Sequence, residues 1–117
     1  MSITLEKSQK FAIRIYQLYK YLQDDKNEHV LSKHLLRSGT SIGASIAEAQ
    51  YAVSRNDFVI KAKTSLKECA ETEYWLNLLK DVDLITQEEY TSYIVSCKEI
   101  LRLLIATVKT ANQISES

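Results

Sequence analysis

Apolar and small residues recur at alternating steps of four and three through most of the chain. One stretch places Phe58, Ala62, Ser65, Cys69, Thr72 and Leu76 in that register, and the next places Tyr90, Ile94, Cys97, Leu101, Leu104 and Val108. Upstream, Leu31, Leu35, Ser38, Ile42, Ser45 and Ala49 follow the same rule, as do Ser8, Phe11, Ile15, Leu18 and Leu22. Such spacing is the inward seam of knobs-into-holes helix packing. Thr86-Gln-Glu-Glu89 fits a capping box, Ser54-Arg-Asn-Asp57 is a weaker version, and Ser32 is a plausible cap before Lys33. These signals predict helices at about 3–23, 32–53, 55–80 and 87–113 in a single domain. Short connections between helices of that length give an all-α, antiparallel up-down-up-down four-helix bundle. The seams mirror one another across the connections, Leu76 with Tyr90 and Phe58 with Val108, so Ile15, Ser38, Cys69 and Cys97 are expected in one central layer.

Composition narrows the class. The 117 residues contain no Pro and two glycines, both inside the second helix. Fifteen basic residues balance fifteen acidic ones, which argues against a dedicated high-affinity polyanion binder and predicts at most a weak, nonspecific nucleic-acid response. No run reaches eighteen apolar residues, so no membrane span is expected. Met1 to Lys10 carries no apolar signal segment, so the expected location is the cytoplasm.

The segment Leu35-Leu-Arg-Ser-Gly-Thr-Ser-Ile-Gly-Ala-Ser-Ile-Ala-Glu-Ala-Gln50 is more specific than any seam. With Ser54-Arg-Asn-Asp-Phe58 and Ser65-Leu-Lys-Glu-Cys-Ala-Glu-Thr-Glu-Tyr-Trp-Leu76, it resembles the bacterial four-helix-bundle proteins named after intervening sequences in 23S rRNA genes. The resemblance spans about residues 8–108; many members carry Asn and Gly where this chain has Ser45 and Ala49. It implies a bundle that assembles into a ring, typically a pentamer. It also implies distant kinship with the accessory protein of diversity-generating retroelements, which works with a reverse transcriptase and nucleic acid. It implies no established biochemical activity for the family at large.

Candidate chemistry is sparse. The Glu-x-x-His spacing of a di-iron bundle is absent, since Lys26 precedes His29 and Leu31 precedes His34 by three residues. Cys69 and Cys97 read as buried free thiols rather than a disulfide. No nucleophile triad, phosphate loop or carboxylate pair can be assembled, so no catalytic residue, metal, cofactor or small-molecule substrate is expected. Gly39, Gly43 and Ala47 form a groove of small residues that accepts either a closely packed helix or a ligand. Arg37, Ser41, Ala44 and Glu48 share one stripe beside the seam, open to bridging between helices, to solvent or to a binding role. Lys7, Lys10 and Arg14 read as a solvated face.

The fourth helix is richer in apolar residues than one seam requires. Leu101, Leu104 and Val108 suffice for the core, leaving Ile100, Leu103 and Ile105 to point elsewhere. A helix apolar nearly all round is buried nearly all round. Tyr16, Tyr19, Tyr74 and Trp75 also lie off the seam, and aromatics favour interfaces. A homo-oligomer is therefore expected, with these seven residues in its contacts. The resemblance alone supplies the number five. The chain thus reads as a non-enzymatic scaffold or adaptor, with a nucleic-acid-binding accessory protein as the alternative. Charge is also uneven. Residues 20–33 and 73–91 hold four basic and eight acidic side chains, so the other end of the bundle is the basic one.

Overall fold

The computed structural model describes residues 2–116, with side chains described for residues 3–113. It contains four helices: α1 (Ser2–Asp24), α2 (Leu31–Ala49), α3 (Arg55–Asp81) and α4 (Gln87–Glu116). They pack in sequence order, α1 on α2, α2 on α3 and α3 on α4, and the sparser α1–α4 seam closes an antiparallel bundle of 51 × 22 × 20 Å. Phe11, Ile15, Leu18 and Leu22 of α1 meet Leu35, Ile42 and Ile46 of α2 in a continuous core with Leu76, Leu79, Ile94 and Leu104. Burying each such aliphatic or aromatic side chain contributes about 1.5–3 kcal/mol, so the seam is the main source of stability.

The four residues of the expected central layer are all fully buried. Cys69 and Cys97 meet with their sulfurs 3.7 Å apart, and Ile15 packs beneath Gly39, beside Ser38. Ser38 leans toward the next turn of α3, where its hydroxyl accepts from Thr72 at 3.0 Å.

Helix ends follow side-chain chemistry in all three connections. The Thr86 box closes as expected. The Glu89 amide donates to Thr86 Oγ1 at 3.1 Å, and the Glu89 carboxylate accepts from the Thr86 amide at 2.8 Å. At α3, Ser54 Oγ accepts from the Asp57 amide, while the Asp57 carboxylate takes the Val53 amide. That second bond holds residues 53 and 54 outside any helix. Consequently α2 stops at Ala49, four residues before the expected end. Tyr51 and Val53, whose apolar side chains look like helix continuation, are 86% and 92% exposed in the loop. The end of α3 is a Schellman turn. Asp83, at φ 60°, donates to the Lys80 carbonyl and Leu84 donates to Leu79. Asn27, at φ 52°, makes the corresponding left-handed turn after α1. With both glycines committed to α2, Asn and Asp take these positions, the side chains that tolerate them best.

Ser32 is not the cap of α2. It is fully buried, donating to the Glu28 carbonyl and accepting from Gln23 Nε2 of α1. The cap is the Glu28 carboxylate, which accepts the amides of Val30, Leu31 and Ser32 at 2.9, 2.8 and 2.7 Å. Partial burial pushes this carboxyl upward, but the amide hydrogen bonds outweigh it and hold it below its ordinary value. A carboxylate with a depressed native pKa stabilises above the unfolded-state value of about 4.3 and loses that contribution as pH falls through the native one. Glu28→Ala is therefore expected to cost about 1–2 kcal/mol at neutral pH. In thermal melts the gap between wild type and variant should narrow below about pH 4, once the carboxyl is protonated.

The buried face of α4 departs from the heptad reading. Ile94, Cys97, Ile100, Leu104 and Ala111 are buried, whereas Leu101 and Val108 are only half-buried. A straight helix at 3.6 residues per turn drifts by about 20° per heptad against a 3.5 repeat. Over the length of α4 that drift brings Ile100 inward, and the eleven-residue step from Ile100 to Ala111 is its signature. Ile100, only 2% exposed, belongs to the core and is not available for contacts between chains.

Candidate functional surfaces

The polar stripe of α2 faces α3. Arg37 Nη2 donates to Glu71 Oε2 at 2.6 Å, with Nη1 3.8 Å from Glu68. Trp75 Nε1 donates to the same Glu71 oxygen at 2.9 Å. His34 stacks on the Trp75 ring at 4.7 Å, and Tyr74 meets that ring edge-on at 4.9 Å. The Trp75 N–H, opposed in part by burial and helped by Arg37, holds the Glu71 carboxyl below its usual range. At the other end of the stripe, Glu48 pairs with Lys61 at 3.2 Å. Ser41 donates back to the Arg37 carbonyl. Of the arrangements open to Arg37 and Glu48 from sequence, both side chains adopt the bridge between helices. A charge-assisted bond sharing one acceptor with an indole N–H also fixes the Trp75 rotamer.

The glycine groove is filled by α1. A Cβ on Gly39 would lie 2.8 Å from Ile15 Cγ2, and one on Gly43 would lie 3.0 Å from Ser8 Oγ. Close approach of two helices is what these glycines permit.

Lys7 and Arg14 do not form the solvated face expected of them. Lys7 pairs with Glu99 of α4 at 2.7 Å. The Arg14 guanidinium sits 4.4 Å over the Tyr93 ring and donates to Ser96 Oγ at 2.9 Å and to Ser92. The α1–α4 seam is thus closed partly by polar contacts. Ser92, Ser96 and Glu99, spaced four and three apart, are the sequence signal that a single-helix reading of α1 passes over.

The seven residues expected at an oligomer interface divide among several places. Ile100 is in the core. Leu103 lies in an apolar groove of about 700 Å³ with Ile3, Phe58 and Ala106 at the end of the bundle. Ile105, half exposed, sits in a hollow with Leu66 of α3 and Lys109. Tyr16 and Tyr19 form a tilted pair on α1, ring centroids 6.2 Å apart, with Tyr16 52% exposed. Tyr74 is exposed, while Trp75 is half-buried beneath His34.

Cys69 and Cys97 are free, fully buried thiols. Each sulfur donates to the other residue's backbone carbonyl, at 3.3 and 3.5 Å. The hydrogen bond from Cys69, together with burial, drives the Cys97 thiol far above its ordinary value. A thiol held protonated and away from solvent is a poor nucleophile. In a thiol-reagent titration the native protein should expose neither cysteine and the denatured chain should expose both; rapid reaction in the native state would contradict the buried pairing. Among the described residues no three His, Cys, Asp or Glu side chains gather in a metal-binding group, and no helix is long and apolar enough to cross a membrane.

These features define an all-helical antiparallel bundle whose polar groups serve mainly to join its helices. The 23S rRNA-intervening sequence protein model matches residues 2–106, and the chain belongs to that family. It is similar to a protein of unknown function from the S23 ribosomal protein family of Bacteroides thetaiotaomicron VPI-5482, known from a 1.70 Å crystal structure. The two are 50% identical, the match covers 92% of this chain and 96% of that one, and the TM-score is 0.91. No curated protein matches the chain.

Proposed function

We propose that this chain is the non-catalytic subunit of a cytoplasmic homo-oligomer, a five-membered ring, that serves as a scaffold or adaptor. The observation that carries this reading is the set of large apolar side chains left exposed on helical faces after the seam is filled, among them Ile13, Tyr16, Tyr74 and Val95. A ring needs two different faces on each subunit, because its contacts are heterologous. The Tyr16–Tyr19 pair on α1 and the groove around Leu103 supply two such faces. The number five rests on the family resemblance. The polar groups gathered around Arg37, Glu71 and Trp75 are committed to one another, which favours a structural over a catalytic use. Light scattering on the purified chain tests the assembly directly: the expected mass is about five times 13.4 kDa.

A second reading, a nucleic-acid-binding accessory protein associated with rRNA intervening sequences or a reverse transcriptase, is favoured by a different observation. Several exposed cations on α3 and α4 make no ion pair among the described residues, although the chain as a whole is neutral.

A further inference from the structure

The acidic and basic side chains of this protein are balanced in number but not in pairing. Seven cations are matched by carboxylates: Lys7, Lys10, Lys20, Arg37, Lys61, Lys80 and Lys98. Of the other eight, Arg14 lies over the Tyr93 ring, Lys26 lies over the Tyr21 ring, and Lys33 and Arg55 stand in the first turns of α2 and α3. The remaining four, Lys63, Lys67, Arg102 and Lys109, are exposed and make no ion pair among the described residues. They are not scattered. Lys63 and Lys67 are one turn apart on α3 and flank Leu66. Arg102 and Lys109 flank Ile105 on α4, at steps of three and four. Leu66, Ile105 and Lys109 line one shallow hollow, so the two pairs belong to the same outer seam between α3 and α4. Lys98, one turn before Arg102, continues the row and crosses to Glu73 of α3 at 3.7 Å.

No acidic residue falls between Phe58 and Lys67 or between Ile100 and Gln113. One carboxylate, Glu73, lies in the seam itself and takes Lys98. Glu68 points toward Arg37 on the α2 side, and Glu99 is held by Lys7 on the α1 side, with a weaker pull from Arg102. The strip keeps its positive charge.

We propose that the α3–α4 outer seam is a track for the phosphate backbone of a nucleic acid, with Lys63, Lys67, Arg102 and Lys109 as its contacts. Two rows of cations lie on neighbouring helices whose axes are about 8–10 Å apart, and each helical turn advances about 5.4 Å. That layout follows an extended polyanion better than a compact anion, which needs convergent donors. An acidic protein is the poorer fit. Lysine is depleted from protein–protein interfaces, whereas Lys and Arg supply most contacts to phosphate. Ile105 lies between Arg102 and Lys109, and the amides Asn112 and Gln113 line the same hollow. The contacts assigned to the four cations are to phosphate and carry no sequence information. This inference rests on the second functional reading above and not on the ring.

The test is a fluorescence-anisotropy titration of the full chain with end-labelled duplex RNA, single-stranded RNA and duplex DNA across a salt series. Wild type should bind weakly. Neutralising about four phosphates gives a log–log salt slope of about −3 to −4 on a duplex and a shallower one on a single strand. Lys63→Glu/Lys67→Glu and Arg102→Glu/Lys109→Glu should each weaken binding by about tenfold or more at low salt. Lys10→Glu/Lys20→Glu on α1, with the same change in net charge, should lower it far less. All six positions are exposed, so circular dichroism should be unchanged. If wild type binds none of the three probes at low salt, the nucleic-acid reading itself fails. If wild type binds and the strip variants bind equally well, the reading survives and the track is wrong. Equal competition by polyglutamate would assign the strip to an acidic protein instead, and a change of particle mass in the strip variants would make it a contact between copies; either result overturns the proposal.

Discussion

Gly39→Ala should lower the unfolding free energy by about 2 kcal/mol, even though Ala is the better helix former by about 1 kcal/mol. The new Cβ would stand 2.8, 3.0 and 3.3 Å from Cγ2, Cγ1 and Cβ of Ile15. Ile15 is β-branched, fully buried and held by the α1–α2 core, so those atoms cannot swing aside as the end of a flexible chain would. Overpacking a dense core costs about 1–3 kcal/mol, and three simultaneous close contacts place this site at or above the upper end. Gly43→Ala is the control within the same groove. Its nearest contact is the single Ser8 Oγ at 3.0 Å, and the Ser8 Cβ is already at 3.5 Å. There the gain in helix propensity offsets a small local shift, and stability should stay within about 1 kcal/mol of wild type. Denaturant unfolding of the two variants side by side checks the difference. If Gly39→Ala is as stable as Gly43→Ala, close α1–α2 packing is not what places a glycine at position 39.

The same pair of helices illustrates what was legible in the sequence. The inward seams of α1, α2 and α3 follow a four-three spacing that depends only on helical geometry, except at their ends, where Leu31 and Phe58 are half-buried and Val59 turns inward beside Phe58. Ile15, Ser38, Cys69 and Cys97 are buried as that spacing requires. The Thr86 and Ser54 caps were equally readable, because a hydroxyl three residues before a carboxylate has a specific local use. Features that depend on a second segment were not. Glu28 looks like one more charge in a polar break, and only the folded turn brings three amides to it. Ile100 and Leu101 are interchangeable on a heptad grid, and the drift of a straight helix decides between them. Arg14 and Lys7 look solvated on a wheel of α1 alone, and find Tyr93, Ser96 and Glu99 only once α4 is beside them. Periodicity reports the direction toward the core. It does not report which neighbour lies to either side.

Tyr16→Glu and Leu103→Asp, made separately, should each reduce the assembly to smaller particles while leaving the helices intact. Tyr16 is half exposed and touches only Tyr19 among the rings of its own chain, so a charge there costs the isolated bundle little. Leu103 lines the end groove and is half-buried, so its variant also tests the second face at some cost in stability. In a ring of heterologous contacts, every junction uses one copy of each face, and damaging either face removes all junctions at once. Burial of a large side chain contributes about 1.5–3 kcal/mol, and a charge placed in the same desolvated site adds its own penalty, which together exceed what one junction can lose. Light scattering at micromolar concentration should therefore fall toward the 13.4 kDa of one chain, with circular dichroism still helical. If Tyr16→Glu alone keeps the full mass, α1 does not carry a junction and the exposed tyrosines need another partner. If both variants keep it, the interface lies elsewhere. A wild-type chain that is monomeric under the same conditions ends the ring proposal, and the exposed apolar residues would then have to be explained by a different protein that covers them.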